Sequence, residues 1–153
     1  MTNIKITDCK ILCISQNDLN SIDRIEKMCY EYPWTKDNIL SEINNLNGFN
    51  RTIQNANSTI LGYFFSYIIT NEMYITNFCI DPRYQNKKIG STLLSNILSE
   101  ALTVGIKIIF LEVRENNFPA IKLYKRFGFI EDGRRKNFYS DGGTAINMHF
   151  KFL

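Results

Sequence analysis

The stretch from Met73 to Val113 changes its hydrophobic period twice, and no other feature of the chain limits the fold as tightly. Met73–Ile80 reads as an extended run that Asp81-Pro82 must end, because the residue before proline avoids helical geometry and proline has no N–H for a ladder. Past Pro82, Ile89, Leu93, Leu94, Ile97, Leu98, Ala101 and Leu102 recur at helical spacing, and Gly105 stands where a C′ glycine belongs. Lys107–Val113 is then a mostly apolar run, expected as a central strand covered on both faces. A strand, a crossover helix and a second strand in one sheet require at least one parallel pair.

The flanking segments are consistent with that unit. Ile4–Ile14 alternates loosely and reads as a strand, and Asn17–Tyr30 reads as a helix with Leu19, Ile22, Ile25, Met28 and Cys29 on its apolar side and Asn17 or Asp18 as its cap. Pro33 ends it. Thr35 caps a second helix whose apolar face holds Ile39, Leu40, Ile43 and Leu46. Strands follow at Arg51–Gln54 and Thr59–Thr70, with turns at Asn55–Ser58 and Asn71-Glu72. Downstream, Asn117 caps a helix with Pro119 in its first turn and Gly128 at its end. Phe129–Asp132 and Thr144–Phe152 read as closing strands around a Gly142-Gly143 turn. The order predicts an α/β fold with a central mixed β-sheet flanked by helices, built as one domain spanning residues 1–153.

Composition removes several functions. Lys5, Asp8 and Lys10 interrupt the N-terminal stretch, so no secretory signal is expected. The longest apolar stretch, Ile60–Ile69, falls well short of the ~20 residues a membrane-spanning helix needs, so the expectation is a soluble protein without a membrane partner. Eighteen Lys+Arg against fifteen Asp+Glu give a net charge of +3, which suits an anionic ligand and by itself does not point to nucleic acid. Cys9, Cys13, Cys29 and Cys79 have no CxxC spacing and His149 is the only histidine, so no metal site is expected and the thiols are read as reduced, as in a cytoplasmic protein. A Ser-His-Asp or Cys-His nucleophile would need His149, which sits between Met148 and Phe150 in a strand-like run.

Three places are left for chemistry. The first is Gln85-Asn86-Lys87-Lys88-Ile89-Gly90-Ser91, where a loop enters a helix. Unpaired N–H groups, the helix dipole and two lysines suit a pyrophosphate there, although an ordinary solvated helix start has the same look. The second is Glu112, which closes the apolar Ile108–Leu111 run. A carboxylate at the carboxyl end of a parallel strand is placed for proton abstraction and partial desolvation, or for an ion pair with Arg114 or a nearby lysine. The third is Tyr124, on the same helical face as Ala120 and Phe127, which core packing alone also explains; capping alone explains Asn117.

The joint order of these residues carries a resemblance. Asn77-Phe78-Cys79-Ile80-Asp81-Pro82, Tyr84 to Gly90, Leu111-Glu112-Val113-Arg114, Asn117, Ala120-Ile121, Leu123-Tyr124, Gly128-Phe129 and Arg134 to Tyr139 follow one another without a gap in spacing. Residues 73–139 thus resemble the acetyl-CoA-binding core of the GNAT superfamily of N-acetyltransferases, and most of all its RimI-type ribosomal-protein-alanine group. Tyr32-Pro33-Trp34-Thr35 is similar to that group's Pro-Trp segment. The resemblance implies a GNAT-like domain that transfers acetyl from acetyl-CoA to a protein N-terminus, the alanine of a small-subunit ribosomal protein. A lysine or small amine as acceptor, or a non-catalytic acetyl-CoA-binding module on the ribosome, stays open beside it.

Carried over by position, Phe78, Cys79 and Ile80 would pair with pantetheine, Gln85 would start the pyrophosphate motif, and Asn86, Lys87, Lys88, Ile89, Gly90 and Ser91 would cradle it. Asn117 would touch the cofactor, Glu112 would be the general base and Tyr124 the general acid, and Trp34 and Tyr139 would line the acceptor groove. Two departures stand out: Lys88 occupies a position where the family has glycine, and Phe138 replaces the first of its paired tyrosines. If position 88 needs a positive φ, lysine costs about 1 kcal/mol or more there.

Overall fold

The structure, a computed structural model, describes residues 3–153. Its elements are β1 (Lys10–Cys13), α1 (Leu19–Cys29), α2 (Lys36–Ile43), β2 (Arg51–Gln54), β3 (Ile60–Ile69), β4 (Glu72–Ile80), α3 (Ile89–Thr103), β5 (Ile108–Arg114), α4 (Phe118–Arg126), β6 (Ile130–Arg135) and β7 (Ala145–Lys151). The strands form one sheet in the order β1-β2-β3-β4-β5-β7-β6. The β4–β5 pair is parallel, as the α3 crossover demands, and the other neighbours are antiparallel. The mixed α/β sheet read from the change of period is therefore the one the chain builds.

Each face of the sheet buries its own apolar cluster. Leu93, Leu94 and Ile97 of α3 and Tyr124 of α4 pack with Phe64, Met73, Ile75, Ile109, Leu111, Val113, Ile146 and Met148 on one side. Ile22 and Ile25 of α1 and Ile39 of α2 pack with Ile60, Tyr63, Phe65 and Cys79 on the other. β3 feeds both clusters and is buried over its first seven residues, which is why its sequence is the longest apolar run. Double coverage was expected of β5 and falls on β3 instead. Alternate residues of β5, with Glu112 the most exposed, face a part of the sheet that α1 and α2 do not reach.

Gly62 lets β3 and β4 close at the end where β4 approaches α3. A Cβ there would stand 2.7 Å from the Cys79 carbonyl oxygen and 2.5 Å from Ile80 Cδ1. Thr35 caps α2 through the Asn38 N–H, and Asn117 caps α4 through the Ala120 N–H, both as expected. Elsewhere local signals give way. The loose alternation of 4–14 yields only β1, with a 3₁₀ turn over Ile6–Asp8, because β2 offers a partner to four residues alone. Of the two caps expected for α1, Asp18 and not Asn17 holds the N-cap position, and its carboxylate accepts from the Ser15 N–H. Leu46 and Leu102 point to solvent although both continue an apolar stripe, since no element lies opposite them. The four cysteines are not all free: α1 rests its C-terminal end on β4, and Cys29 and Cys79 are joined there while Cys9 and Cys13 remain thiols.

Asp81 ends β4 and is fully buried. Arg83 pairs with it at 2.7 Å, Arg24 at 3.3 Å, and the Arg83 N–H caps it at 3.0 Å. Burial alone would raise its pKa, but the Arg83 and Arg24 contacts outweigh burial and hold the carboxyl below its ordinary value. A depressed folded pKa contributes stability that is present above the unfolded value, about 3.9, and is lost as pH falls through the folded one. Asp81→Asn should therefore cost roughly 1–3 kcal/mol at neutral pH. Urea melts from pH 7 downward should show that cost shrinking below about pH 4; a pH-independent cost would contradict the assignment.

Candidate active site

The site exists because β4 and β5 part company. Their pairing runs from Glu72–Ile108 to Ile75–Leu111 and stops, while the register of β4 against β3 slips at the same place, leaving Thr76 as the bulged residue. Beyond the bulge, β4 keeps only its β3 partner. The Asp81 N–H donates to Leu61 O, so by strand alternation Cys79 also turns to β3, and Phe78 and Ile80 turn their N–H and C=O toward the open edge. The carbonyls there already have side-chain partners: Phe78 O accepts from the Tyr30 hydroxyl at 3.2 Å and Ile80 O from the Gln85 amide at 3.0 Å. The two N–H groups remain for a ligand.

The opening has two lobes that meet at Phe78, Asn117, Ala120 and Tyr124. One lobe, about 570 Å³, runs over Cys79, Ile80, Gln85, Asn86, Lys88, Ile89, Gly90 and Ser91 to α4. Its charged lining is Lys88, Lys122 and Arg126, all cationic, and the N-terminus of the fifteen-residue α3 opens into it. That lining is complementary in charge to an anion. Asn86 and Lys88 both adopt left-handed backbone, with φ of 60° and 64°, so the strain foreseen for a lysine at position 88 is present. Gly90 is not under the same demand: a Cβ there would meet Ile80 and Leu123 at ordinary contact distance. Ser91 accepts from the Arg126 guanidinium. Lys87 is exposed and does not line the lobe; its ammonium stands 5.9 Å from the ring centre of Tyr84, which does.

The other lobe, about 580 Å³, is lined by Trp34, Asn77, Glu112, Arg114, Tyr139 and Asp141 among others, and here the carboxylates outnumber the cations. Glu112 and Tyr124 both border it. Glu112 is exposed, not desolvated as the sequence suggested, because β5 is uncovered on this face; its near ion is Arg135 at 3.8 Å and not Arg114. Arg114 is engaged with Asp141 at 2.9 Å and stacks on Tyr139 at 3.9 Å, which fixes the loop between β6 and β7 over the lobe. Burial raises the Tyr139 pKa, partly offset by Arg114. Tyr124 is buried between Phe78 and Phe129, with ring centres at 6.2 and 5.4 Å. Desolvation pushes its phenol far above the ordinary value, so it carries its proton throughout the neutral range. Trp34 contributes both to the lobe and to the core, where it packs 5.7 Å from Phe65.

Several contributors went unread in the sequence, among them Lys122, Arg126, Asp141, Tyr30 and Glu26. Tyr30 borders both lobes, and Glu26 borders the second although it is almost fully buried. The available signal for Glu26 was its position one turn after Ile22 and one before Cys29 or Tyr30, a carboxylate inside the apolar stripe of α1. His149 Nδ1 donates to the Asp132 carboxylate at 2.7 Å on the open sheet face, and the ring borders neither lobe. Among the described residues no cluster of metal-ligating side chains occurs, and no helix is long and apolar enough to cross a membrane.

Comparison with known proteins adds to this geometry. A family model described as the acetyltransferase (GNAT) family matches residues 19–129. A Bacillus subtilis (strain 168) protein provisionally named a ribosomal protein bS18-alanine N-acetyltransferase is 32% identical over 126 residues, covering 82% of this chain and 83% of that protein. The protein of that name from Salmonella typhimurium (strain LT2) is 28% identical over 129 residues, 84% and 86% of the two chains. The crystal structure of the ribosomal-protein-S18-alanine N-acetyltransferase from Escherichia coli superposes with a TM-score of 0.87 at 28% identity, over 94% of this chain and 93% of that one.

The strain at Lys88 is directly measurable. Lys88→Gly relieves a left-handed L-residue, a gain of about 1–2 kcal/mol, reduced by the roughly 0.5–1 kcal/mol of extra unfolded-state freedom that glycine brings. The expected result in a thermal melt is a Tm higher by roughly 1–4 °C; a lower Tm would show that the lysine contributes more than its strain costs.

Proposed function

This chain belongs to the acetyltransferase (GNAT) family, and on that premise we propose that it moves the acetyl group of acetyl-CoA onto the α-amino group of a protein N-terminus, the alanine of ribosomal protein bS18 being the acceptor its relatives' names indicate. The observation that carries the reading is the parting of β4 from β5, which sets a cationic lobe and a carboxylate-lined lobe on either side of one open strand edge. A pyrophosphate fits the first and an ammonium the second.

Asn86 to Ser91, with Lys88, Lys122 and Arg126, would hold the phosphates, and the open edge of Phe78–Ile80 would pair with pantetheine. The N–H groups of Phe78 and Ile80 point where a thioester carbonyl would need a donor, a contact worth roughly 10²–10³ in rate. The acceptor amine, with a free pKa of about 7.7–8.0, arrives protonated. Glu112 takes that proton, directly or through one water, after Arg135 yields its place beside the carboxylate. The neutral amine then attacks the thioester carbon, forming the amide C–N bond and shedding its surplus proton to solvent as the C–S bond breaks. Tyr124, protonated at neutral pH, gives its proton or a hydrogen bond to the departing thiolate. No acyl-enzyme is needed, since both substrates meet at the strand edge. Trp34 and Tyr139 line the groove that receives the N-terminal residue, and the cytoplasm is where such an acceptor is made.

The deciding experiment is mass spectrometry of acetyl-CoA incubations with peptides beginning in Ala, Ser or Met, beside an N-terminally blocked peptide that offers only lysine. Acetylation of the alanine peptide is expected. Modification of lysine alone would move the acceptor class, and tight acetyl-CoA binding without turnover on any peptide would make the protein a sensor. For the roles, Glu112→Gln should lower kcat by roughly 10²–10⁴, and Tyr124→Phe should lower kcat with little change in KM. A Glu112→Gln enzyme with undiminished kcat between about pH 6 and 9, on either side of the free amine's pKa, would remove Glu112 from the mechanism.

A further inference from the structure

Glu26 sits on the sheet-facing side of α1 at 1% exposure, next to Ile22, Ile25, Tyr63 and Phe65. A carboxylate in such surroundings is costly unless donors close around it. Three do. The Trp34 backbone N–H donates to Oε1 at 2.9 Å, the Asn77 amide donates to Oε2 at 2.9 Å, and the Tyr63 hydroxyl also donates to Oε2. The donors come from three elements: the loop between α1 and α2, then β4, then β3. Packing of α1 does not require them, because Ile22 and Ile25 are already fully buried.

What matters is where the network ends. Trp34 borders the acceptor lobe. Asn77 is the first residue past the Thr76 bulge, and its Oδ1 faces the Tyr30 hydroxyl at 3.0 Å while the same hydroxyl faces Phe78 O at 3.2 Å. A phenol has one proton to give, so the orientation of the Asn77 amide decides how Tyr30 serves the strand edge. That orientation is set by Glu26, which takes the amide N–H₂ and leaves the amide oxygen toward Tyr30.

From this geometry we infer that Glu26 is a positioning residue that registers the Pro33-Trp34 loop against the open edge of β4, tying acceptor binding to the strand that meets the thioester. Its kinetic consequences rest on the acetyl-transfer reading above; its structural consequences do not. The carboxylate touches neither reacting group in this role.

The test is an exchange of polarity across one contact. Glu26→Gln must set its amide N–H₂ against either the Asn77 N–H₂ or the Trp34 N–H, and Asn77→Asp in the same chain lets that amide N–H₂ face an acceptor while the amide oxygen keeps the Trp34 N–H, with the charge unchanged. With the alanine peptide, Glu26→Gln should raise the peptide KM and lower kcat, a combined loss of roughly 10-fold or more for a buried donor left unpaired. The acetyl-CoA KM should rise less than the peptide KM, because the network reaches the cofactor only through Tyr30 at Phe78, while Gln85 to Ser91 lie outside it. The double variant should recover most of the loss and should outperform Asn77→Asp alone, a comparison that holds even if Glu26→Gln folds poorly. Trp34 is the only tryptophan, so its emission reports the loop without turnover: red-shifted in Glu26→Gln and restored in the double variant. A double variant as impaired as the worse single one, or an equal rise in both KM values, overturns the inference. Should the unsubstituted protein acetylate no peptide, the proposed function falls, and the emission series still decides the role of Glu26.

Discussion

A strand in the middle of a sheet ordinarily spends its N–H and C=O groups on two neighbours, and β4 has two neighbours for only part of its length. The parallel ladder to β5 is four residue pairs long and ends where Thr76 bulges against β3. Past that point the half-buried edge at Phe78 and Ile80 lines the opening and is too polar to stay without partners. Side chains take up the carbonyls, through Tyr30 on Phe78 and Gln85 on Ile80, and the N–H groups stay directed into the opening. Everything that looks functional in this molecule is arranged around that unsatisfied edge.

The opening persists because its walls are fastened elsewhere. The α3–α4 cluster packs on one face of the sheet and the α1–α2 cluster on the other, and β3 is common to both. Buried polar groups pin the parted end: Asp81 between Arg24 and Arg83 at the tip of β4, and Glu26 with Asn77 just past the bulge. Arg114 does the same for the far wall, holding the loop between β6 and β7 through Asp141 and Tyr139. Such contacts cost desolvation and return it only when every partner is in place, which favours one geometry of the cleft over many.

The electrostatics follow the same division. Cations and a helix N-terminus gather on the α3 side, carboxylates on the α1 and β5 side, and the two fields meet at Phe78 and Tyr124. On the proposed function, this division would draw a phosphate-bearing co-substrate and an ammonium-bearing acceptor in from opposite sides. The buried Tyr124 keeps its proton because burial disfavours the phenolate, while Glu112 on the uncovered face of β5 stays in reach of water.

Local chemistry made much of this legible in the chain itself. The proline after Asp81, the helical stripe from Ile89 and the caps at Thr35 and Asn117 act within a few residues, so the elements and the parallel crossover were readable; a positive φ at Lys88 was legible only as a condition attached to the family resemblance. Motif order brought Phe78, Glu112, Asn117 and Tyr124 together before any coordinates. Facts that depend on what lies opposite a residue were out of reach. The coverage of β3 rather than β5, the exposure of Glu112 and Leu46 and the joining of Cys29 to Cys79 depend on which face α1 and α2 occupy and how far they extend. Glu26 is the clearest case: as a letter in a helix it is one more charge, and only packing of α1 on β3 and β4 brings three donors from distant segments to its two oxygens. Sequence determines what each segment prefers to be, because propensity and periodicity act over one turn or one strand; the tertiary structure decides which groups meet, because contacts between segments depend on distances in space that no spacing along the chain encodes.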